Sequence, residues 1–314
     1  MRAAVIERYG EPPVVKEVDS PKADPGRLVE VSGAPLNPVD ISIASGKFYA
    51  GSPPTPYVPG GEGIGRLADS GQRQRVYFRA ALPNGAMAER AVTSGQTVPI
   101  PDGLDDGVAA ALGTPGIAAY LGLTRRAQLR KGETVLVLAA SGVLGIIAVQ
   151  AAKLLGAGRV IAGARDPDGL KRAQQLGADA IVDLKNLDGL TERIREASGG
   201  QLHVVIDPLW GQPGVAALEA LSPQGRFVQI GQSAGAEASV KSGTIRGRYL
   251  SVLGYTSFLV PWEEQAAAYR TLAEHAAAGR IKVEYENLPL EAAPDAWARQ
   301  KSSPHRKLVL SPRS

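Results

Sequence analysis

The chain has 314 residues, of which 44% are hydrophobic and 21% charged, with a formal net charge of +4. That length allows two domains and a substantial core, and the scattered basic residues exclude the electrostatic footprint of a nucleic-acid or membrane-surface binder. Cysteine is absent, which excludes disulfides, thiolate chemistry and cysteine-based metal sites and leaves His203, His275 and His305 as the imidazoles.

The first ten residues, MRAAVIERYG, lack the apolar core of a signal peptide, and no run reaches membrane-spanning length, so a cytoplasmic location is expected. Met1 to Leu36 reads as short strands with turns at Gly10-Glu11-Pro12-Pro13 and Pro25-Gly26, the second strand pair being Val14 to Val18 and Leu28 to Ser32. Asn37-Pro38-Val39-Asp40 opens a short helix that ends near Ser45-Gly46. A proline-rich loop, Ser52 to Pro59, leads into the glycine-dense turn Gly60 to Gly65. Strands are expected at Val76 to Ala81 and Ala86 to Val98, then a helix from Leu104, an interruption at Gly113 to Gly116 and a second helix to about Leu129.

The stretch from Glu133 to Arg165 is the most informative. An apolar run (Val135 to Leu138), a small-residue turn (Ala139 to Gly145), an apolar helix and a second apolar run (Val160 to Ala164) predict strand, turn, helix, parallel strand. Ala139, Gly142 and Gly145 occupy the three positions of a dinucleotide fingerprint, with alanine first. Such a turn lets a pyrophosphate approach the backbone at the helix N-terminus, around Ser141, Val143 and Leu144; its other use is close packing of helix on strand. Helices at Gly169 to Leu176, Leu187 to Ala197 and Gly214 to Leu221 then alternate with strands at Ala180 to Val182, His203 to Ile206, Arg226 to Ile230 and Tyr249 to Leu253. This alternation predicts an α/β, doubly wound parallel sheet of Rossmann type. The tail reads as a helix from Trp262 to Ala278, a strand at Ile281 to Tyr285, a helix at Ala292 to Gln300 and a strand at Lys307 to Leu310.

The order of Asn37-Pro38-Val39-Asp40, Pro59 to Gly65, Ala110 to Gly116, Ala139 to Gly145, Leu176 to Asp179 and Ile206-Asp207-Pro208 resembles the medium-chain dehydrogenase/reductase superfamily. Within it, the chain is similar to the zinc-free quinone oxidoreductase branch related to zeta-crystallin. The resemblance implies a discontinuous, mainly β, GroES-like catalytic domain of residues 1–118 and 255–314 around a dinucleotide-binding domain of residues 119–254. It implies a nicotinamide cofactor in the cleft between them, a quinone as hydride acceptor, and a homodimer paired at sheet edges such as Tyr249 to Leu253. An activated alkene is the alternative acceptor, and a non-catalytic NADPH-binding protein the alternative from another class.

Three departures from the wider superfamily bear on chemistry. The alcohol dehydrogenases' zinc-ligand histidine position is Gly61 here, and the cysteine ligands are missing, which removes the means to hold a Lewis-acid metal. The acidic residue that binds the ribose of NAD aligns with Ala164, and Arg165 follows; a guanidinium there grips a 2'-phosphate, so NADPH is expected, with Lys171 and Arg172 as helpers. The other reading of Arg165 is a solvated loop charge. The family's lysine in the next helix aligns with Gly169, and its active-site tyrosines align with Ser42 and Phe48, with Tyr49 one residue on. A threonine near the nicotinamide aligns with Ala118, while Thr114 lies in the same segment.

Asn37 and Tyr49 are the expected donors to the developing oxyanion, Asn37 having a helix cap as its other reading and Tyr49 and Tyr57 a place as pocket walls. Asp40 is read as structural. Gly231, Gln232 and Ser233 end a nucleotide-domain strand beside the cofactor, and Gly254 and Tyr255 mark the return to the catalytic domain, with Gly231 and Gly254 assigned to close backbone approach. No metal ligand set is expected.

Overall fold

The computed structural model describes residues 1–23, 26–68 and 74–312, so the turn expected at Pro25-Gly26 lies partly outside the described residues. In chain order the strands are β1 (Arg2–Val5), β2 (Val14–Glu17), β3 (Arg27–Pro35), β4 (Glu62–Leu67), β5 (Arg75–Arg79), β6 (Arg90–Thr93), β7 (Thr97–Pro99), β8 (Thr134–Leu138), β9 (Arg159–Ala164), β10 (Ala180–Asp183), β11 (Val204–Asp207), β12 (Arg226–Gln229), β13 (Ser251–Gly254), β14 (Tyr285–Pro289) and β15 (Lys307–Ser311). The α-helices are α1 (Pro38–Ala44), α2 (Asp106–Ala111), α3 (Thr114–Leu121), α4 (Val143–Leu154), α5 (Pro167–Gln175), α6 (Leu190–Ala197), α7 (Gly211–Ala220), α8 (Ser242–Gly247), α9 (Trp262–Ala277) and α10 (Ala293–Lys301). These elements form two compact units. One comprises Met1–Thr114, Trp262–Gly279 and Val283–Ser314, the other Pro115–Pro261 and Arg280–Lys282.

The first unit is mainly β. Its seven-stranded sheet runs β14-β15-β3-β4-β5-β7, with β6 also on β3, and is antiparallel except at β14-β15. The core below it gathers Ile6, Leu36, Phe78, Met87, Trp297 and Leu310, all nearly inaccessible to solvent. Val14–Glu17 pairs with Arg2–Val5, and β3 pairs with β4, β6 and β15, so the expected hairpin between the second and third strands does not form. The expected strand from Ala86 to Val98 is two strands separated at Ser94-Gly95-Gln96, and the strand expected at Ile281 to Tyr285 begins at Tyr285 instead. Local apolar runs do not show where a ladder partner is available, and that decided both cases.

The second unit is the expected doubly wound sheet, in the order β10-β9-β8-β11-β12-β13 with every pair parallel. All five residues of central β8 are buried, whereas edge β13 is largely exposed, which is why the sequence is apolar in one and mixed in the other. Helix α4 is buried from Gly145 to Ala152, matching its apolar composition, and Gln150 within it bonds the backbone of Lys282 through both ends of its amide. The second expected helix ends as a π-helical turn, Gly122–Arg126, after α3. Short α8 had no sequence expectation.

Candidate functional site

In the second unit the chain runs outward from β8 to β9 and β10 and then crosses back to β11 on the other side of β8, so the carboxyl ends of β8 and β11 flank the switch point where open parallel sheets bind ligands. The turn there is built by local constraints. Ala139 takes φ 51°, the left-handed conformation that favours the glycine it replaces. Its carbonyl accepts the Gly142 N–H at 3.0 Å, and Ala140 N–H reaches Gly163 O on β9 at 3.0 Å. Gly142 then caps α4 in extended conformation. A Cβ at Gly145 would stand 2.4 Å from Ala139 O, so only glycine lets α4 start against β8. The first α4 bond is Ile146 N–H to Gly142 O, and the N–H groups of Val143, Leu144 and Gly145 have no acceptor among the described residues. Three free donors at the positive end of a twelve-residue helix fit a phosphate group.

Arg165 follows β9 directly, is exposed, and forms no ion pair among the described residues. The adjacent Asp166 is committed to capping α5 through the Gly169 N–H at 2.8 Å. Gly169 explains the absent lysine. A Cβ there would lie 2.3 Å from Ser141 Cβ and 2.8 Å from the Asp166 carboxylate, so no side chain fits between α5 and the turn. Lys171 faces Asp168 at 3.7 Å on the exposed side of α5.

Across the switch point, Asp207 is fully buried. Its carboxylate accepts N–H bonds from Leu209 at 2.8 Å and Trp210 at 3.0 Å, and burial, working against those bonds, pushes it up to about 6. Trp210, at φ 55° and ψ −153°, holds a strained backbone, with its ring edge-on to Phe227. This turn grips the segment after β12: Ser233 donates to Pro208 O from both N–H and hydroxyl, and Ala234 N–H reaches Leu209 O. Gly231, Gln232 and Ser233 are thereby fixed beside it, and a Cβ at Gly231 would stand 2.8 Å from Pro208 O. Gly254 has open space around it. Nothing lies within 4 Å of where its Cβ would be, so no close approach by the protein requires glycine there. Tyr255 is buried, its N–H bonded to Gln229 O at 2.8 Å.

In the first unit Asn37, one of the expected donors, sits in a buried polar network. Asn37 is 3% exposed; its amide donates to Glu62 at 2.8 Å and Pro35 O at 3.4 Å and accepts from Lys307 Nζ at 2.6 Å. Both amide hydrogens are thereby engaged, and Asn37 stands at the N-cap of α1 in a capping box with Asp40. In that box Asp40 accepts the Asn37 N–H at 2.8 Å and also the Gly61 N–H at 3.3 Å, the structural role expected of it. Burial pushes Asp40 up to about 6 against the Asn37 bond, with the Glu62 charge adding to the rise. Glu62 accepts from Tyr77 Oη at 2.7 Å and from Thr114 N–H at 2.8 and 3.0 Å, with Arg79 at 3.6 Å. Arg79 also donates to Thr114 Oγ1 at 3.1 Å. Burial lowers Lys307 to about 8, opposed by Glu62 and Asp40. Glu62, Arg79 and Lys307 were not singled out from sequence, although a charge in the middle of a glycine run or at the head of an apolar strand is such a signal. Tyr49 is 76% exposed, its ring against Phe48 at 4.4 Å.

Among the described residues no group of three or more His, Cys, Asp or Glu side chains could hold a metal ion, and no helix is long and apolar enough to cross a membrane.

A family profile described as zinc-binding dehydrogenase matches residues 143–274. The chain is 30% identical over 261 residues to quinone oxidoreductase-like protein 2 of Mus musculus, covering 81% of this chain and 74% of that one. It is 32% identical over 248 residues to a quinone oxidoreductase of Pseudomonas aeruginosa, covering 76% and 75%. Among solved structures, the quinone oxidoreductase of Thermus thermophilus, also determined with NADPH, superposes with a TM-score of 0.81 at 30% identity over 99% of this chain and 100% of that one.

Proposed function

The chain belongs to the quinone oxidoreductase family of the medium-chain dehydrogenases/reductases, and from that premise we propose that it reduces a quinone with NADPH and without zinc. The observation that carries the reading is the set of three free N–H groups at the start of α4 together with Arg165, unpaired among the described residues, at the end of β9. Those donors would hold the pyrophosphate and Arg165 the 2'-phosphate. The capped carboxylate of Asp166 does not compete for Arg165, and Lys171, held by Asp168, is at most an accessory. Gly231, Gln232 and Ser233, fixed on the Asp207 turn, would line the nicotinamide end together with Thr114, and Tyr49 would stand on the acceptor side. The bound cofactor supplies a hydride, and the overall change is NADPH + H⁺ + quinone → NADP⁺ + hydroquinone.

Because the acceptor is already electrophilic, the protein's task is to hold it in reach and supply hydrogen-bond donors to the developing oxyanion. Zinc independence is supported by the absence of cysteine and by Gly61 at the histidine position. We extend the proposal to a homodimer paired through β13, an edge strand with Val252 exposed, which light scattering would test.

The deciding experiment measures oxidation of NADPH, with NADH as control, across quinones and enals, before and after treatment with a chelator. Quinone-dependent oxidation that survives chelation and prefers NADPH is expected. NADPH binding without turnover on any acceptor would leave a non-catalytic binding protein, and equal efficiency with NADH would remove the assignment of Arg165.

A further inference from the structure

Tyr57 is a core residue with one atom that the core does not use. Its backbone is bridged to Ile6, with N···O distances of 2.9 and 3.2 Å, and its ring is packed in the cluster with Ile6, Leu36, Ile43 and Ala44. The residue is 3% exposed, and its hydroxyl has no hydrogen-bond partner among the described residues. Phenylalanine would pack as well without burying an unsatisfied hydroxyl, a feature native proteins keep rare.

The polar neighbours whose charge acts on this hydroxyl are Asp40 and Tyr9, and neither accepts a hydrogen bond from it. The two oxygens of Asp40 accept from Asn37 and Gly61, and Tyr9 Oη donates to Pro53 O at 2.7 Å. Burial first, then the Asp40 charge, raises the Tyr57 phenol well above its ordinary value, so it keeps its proton and acts as a donor. Beside Asp40 an anionic ligand is repelled, whereas a neutral acceptor is accommodated.

We propose that the Tyr57 hydroxyl is the hydrogen-bond donor to the carbonyl oxygen of the acceptor molecule, in a subsite covered by Tyr9 and the segment 46–56. This rests on the reductase reading above. The cover includes the Tyr9–Pro53 bond and a bond from Ser52 Oγ to Ile43 O at 2.6 Å, with left-handed glycines at Gly46 and Gly51 and a largely exposed Tyr49 between them. Parting Tyr9 from Pro53 admits the acceptor. As negative charge develops on its oxygen, the bond from Tyr57 strengthens, so the hydroxyl acts in the transition state more than in the ground state.

The test is Tyr57→Phe in the full chain, with 1,4-naphthoquinone and trans-2-hexenal as acceptors. The expected result is a fall in kcat/KM of about 10- to 100-fold for whichever acceptor the wild type reduces, carried mostly by kcat, with unchanged NADPH affinity. The melting temperature is expected to stay the same or rise, because the substitution removes an unsatisfied group. A kcat/KM within about twofold of wild type, or a lower melting temperature, would overturn the inference, the latter because it reveals a structural partner for the hydroxyl. If the wild type reduces neither acceptor, the reductase reading fails independently. Calorimetric titration of 1,4-naphthoquinone into the protein with NADP⁺ then decides: binding weakened about tenfold or more by Tyr57→Phe supports the subsite, and equal or undetectable binding refutes it.

Discussion

Replacing Asp207 by asparagine isolates the cost of a carboxylate buried without a counter-cation. Asparagine retains an oxygen for the Leu209 and Trp210 N–H groups but does not titrate. In the folded protein burial holds Asp207 at about 6, against 3.8 for an ordinary aspartate. Between these values the folded state binds more protons than the unfolded state, so this residue's contribution to stability is fully present below about pH 4 and is lost as pH rises through about 6. The difference of about two units corresponds to roughly 3 kcal/mol. Wild-type stability minus that of Asp207→Asn should therefore fall by roughly 3 kcal/mol between pH 4 and pH 7. That is about 6–12 °C in melting temperature for a unit of this size. Paired thermal melts across that range measure it, and carboxylates elsewhere cancel in the difference. A flat difference, or one that grows with pH, would refute the argument that desolvation outweighs the two N–H donors.

Arg165→Ala should lower kcat/KM for NADPH by about 10- to 100-fold while leaving NADH within a few-fold, as steady-state kinetics would show, because a charge-assisted contact to the 2'-phosphate is removed. Gly145→Ala should destabilise the protein by more than about 2 kcal/mol and abolish cofactor binding, whereas Gly142→Ala, whose Cβ would meet only Ala139 O at 3.4 Å, should melt near the wild type. Lys307→Met leaves Asp40, Glu62 and Asn37 Oδ1 short of a buried cation and should cost about 3–5 kcal/mol, seen in denaturant titration. The same lysine, at about 8 when folded and 10.5 otherwise, makes wild-type stability rise with pH across that interval, a slope the variant should lack.

The parallel sheet was legible because its period and its caps are local: an apolar β8, a small-residue turn and an apolar α4 each declare themselves over a few residues. The turn from Ala139 to Gly145 was legible for the same reason, down to the alanine at its first position. The antiparallel unit was less so. Its ladder partners, such as β3 with β15, come from distant segments, and nothing within Leu28 to Ser32 reveals which strand it will meet. Asn37 shows the same limit at the site. Its type and position matched an active-site donor, but whether its amide is spare depends on Glu62 and Lys307, 25 and 270 positions away. Gly169 reverses the case: the sequence recorded a missing lysine, and the steric demand of Ser141 supplies the reason.

The pairing of β15 with β3 also sets an order of events during synthesis. Every strand of the parallel sheet lies before residue 255, so that unit can close before β15 has been made. The mainly β unit cannot. Its sheet lacks β14 and β15 and its buried network lacks Lys307 until those segments emerge, so the Ala34–Pro35 end of β3 lacks its partner and Asp40 and Glu62 wait without their lysine until then. A chain terminated shortly before Lys307 would keep the parallel sheet and lose the closure of the mainly β unit.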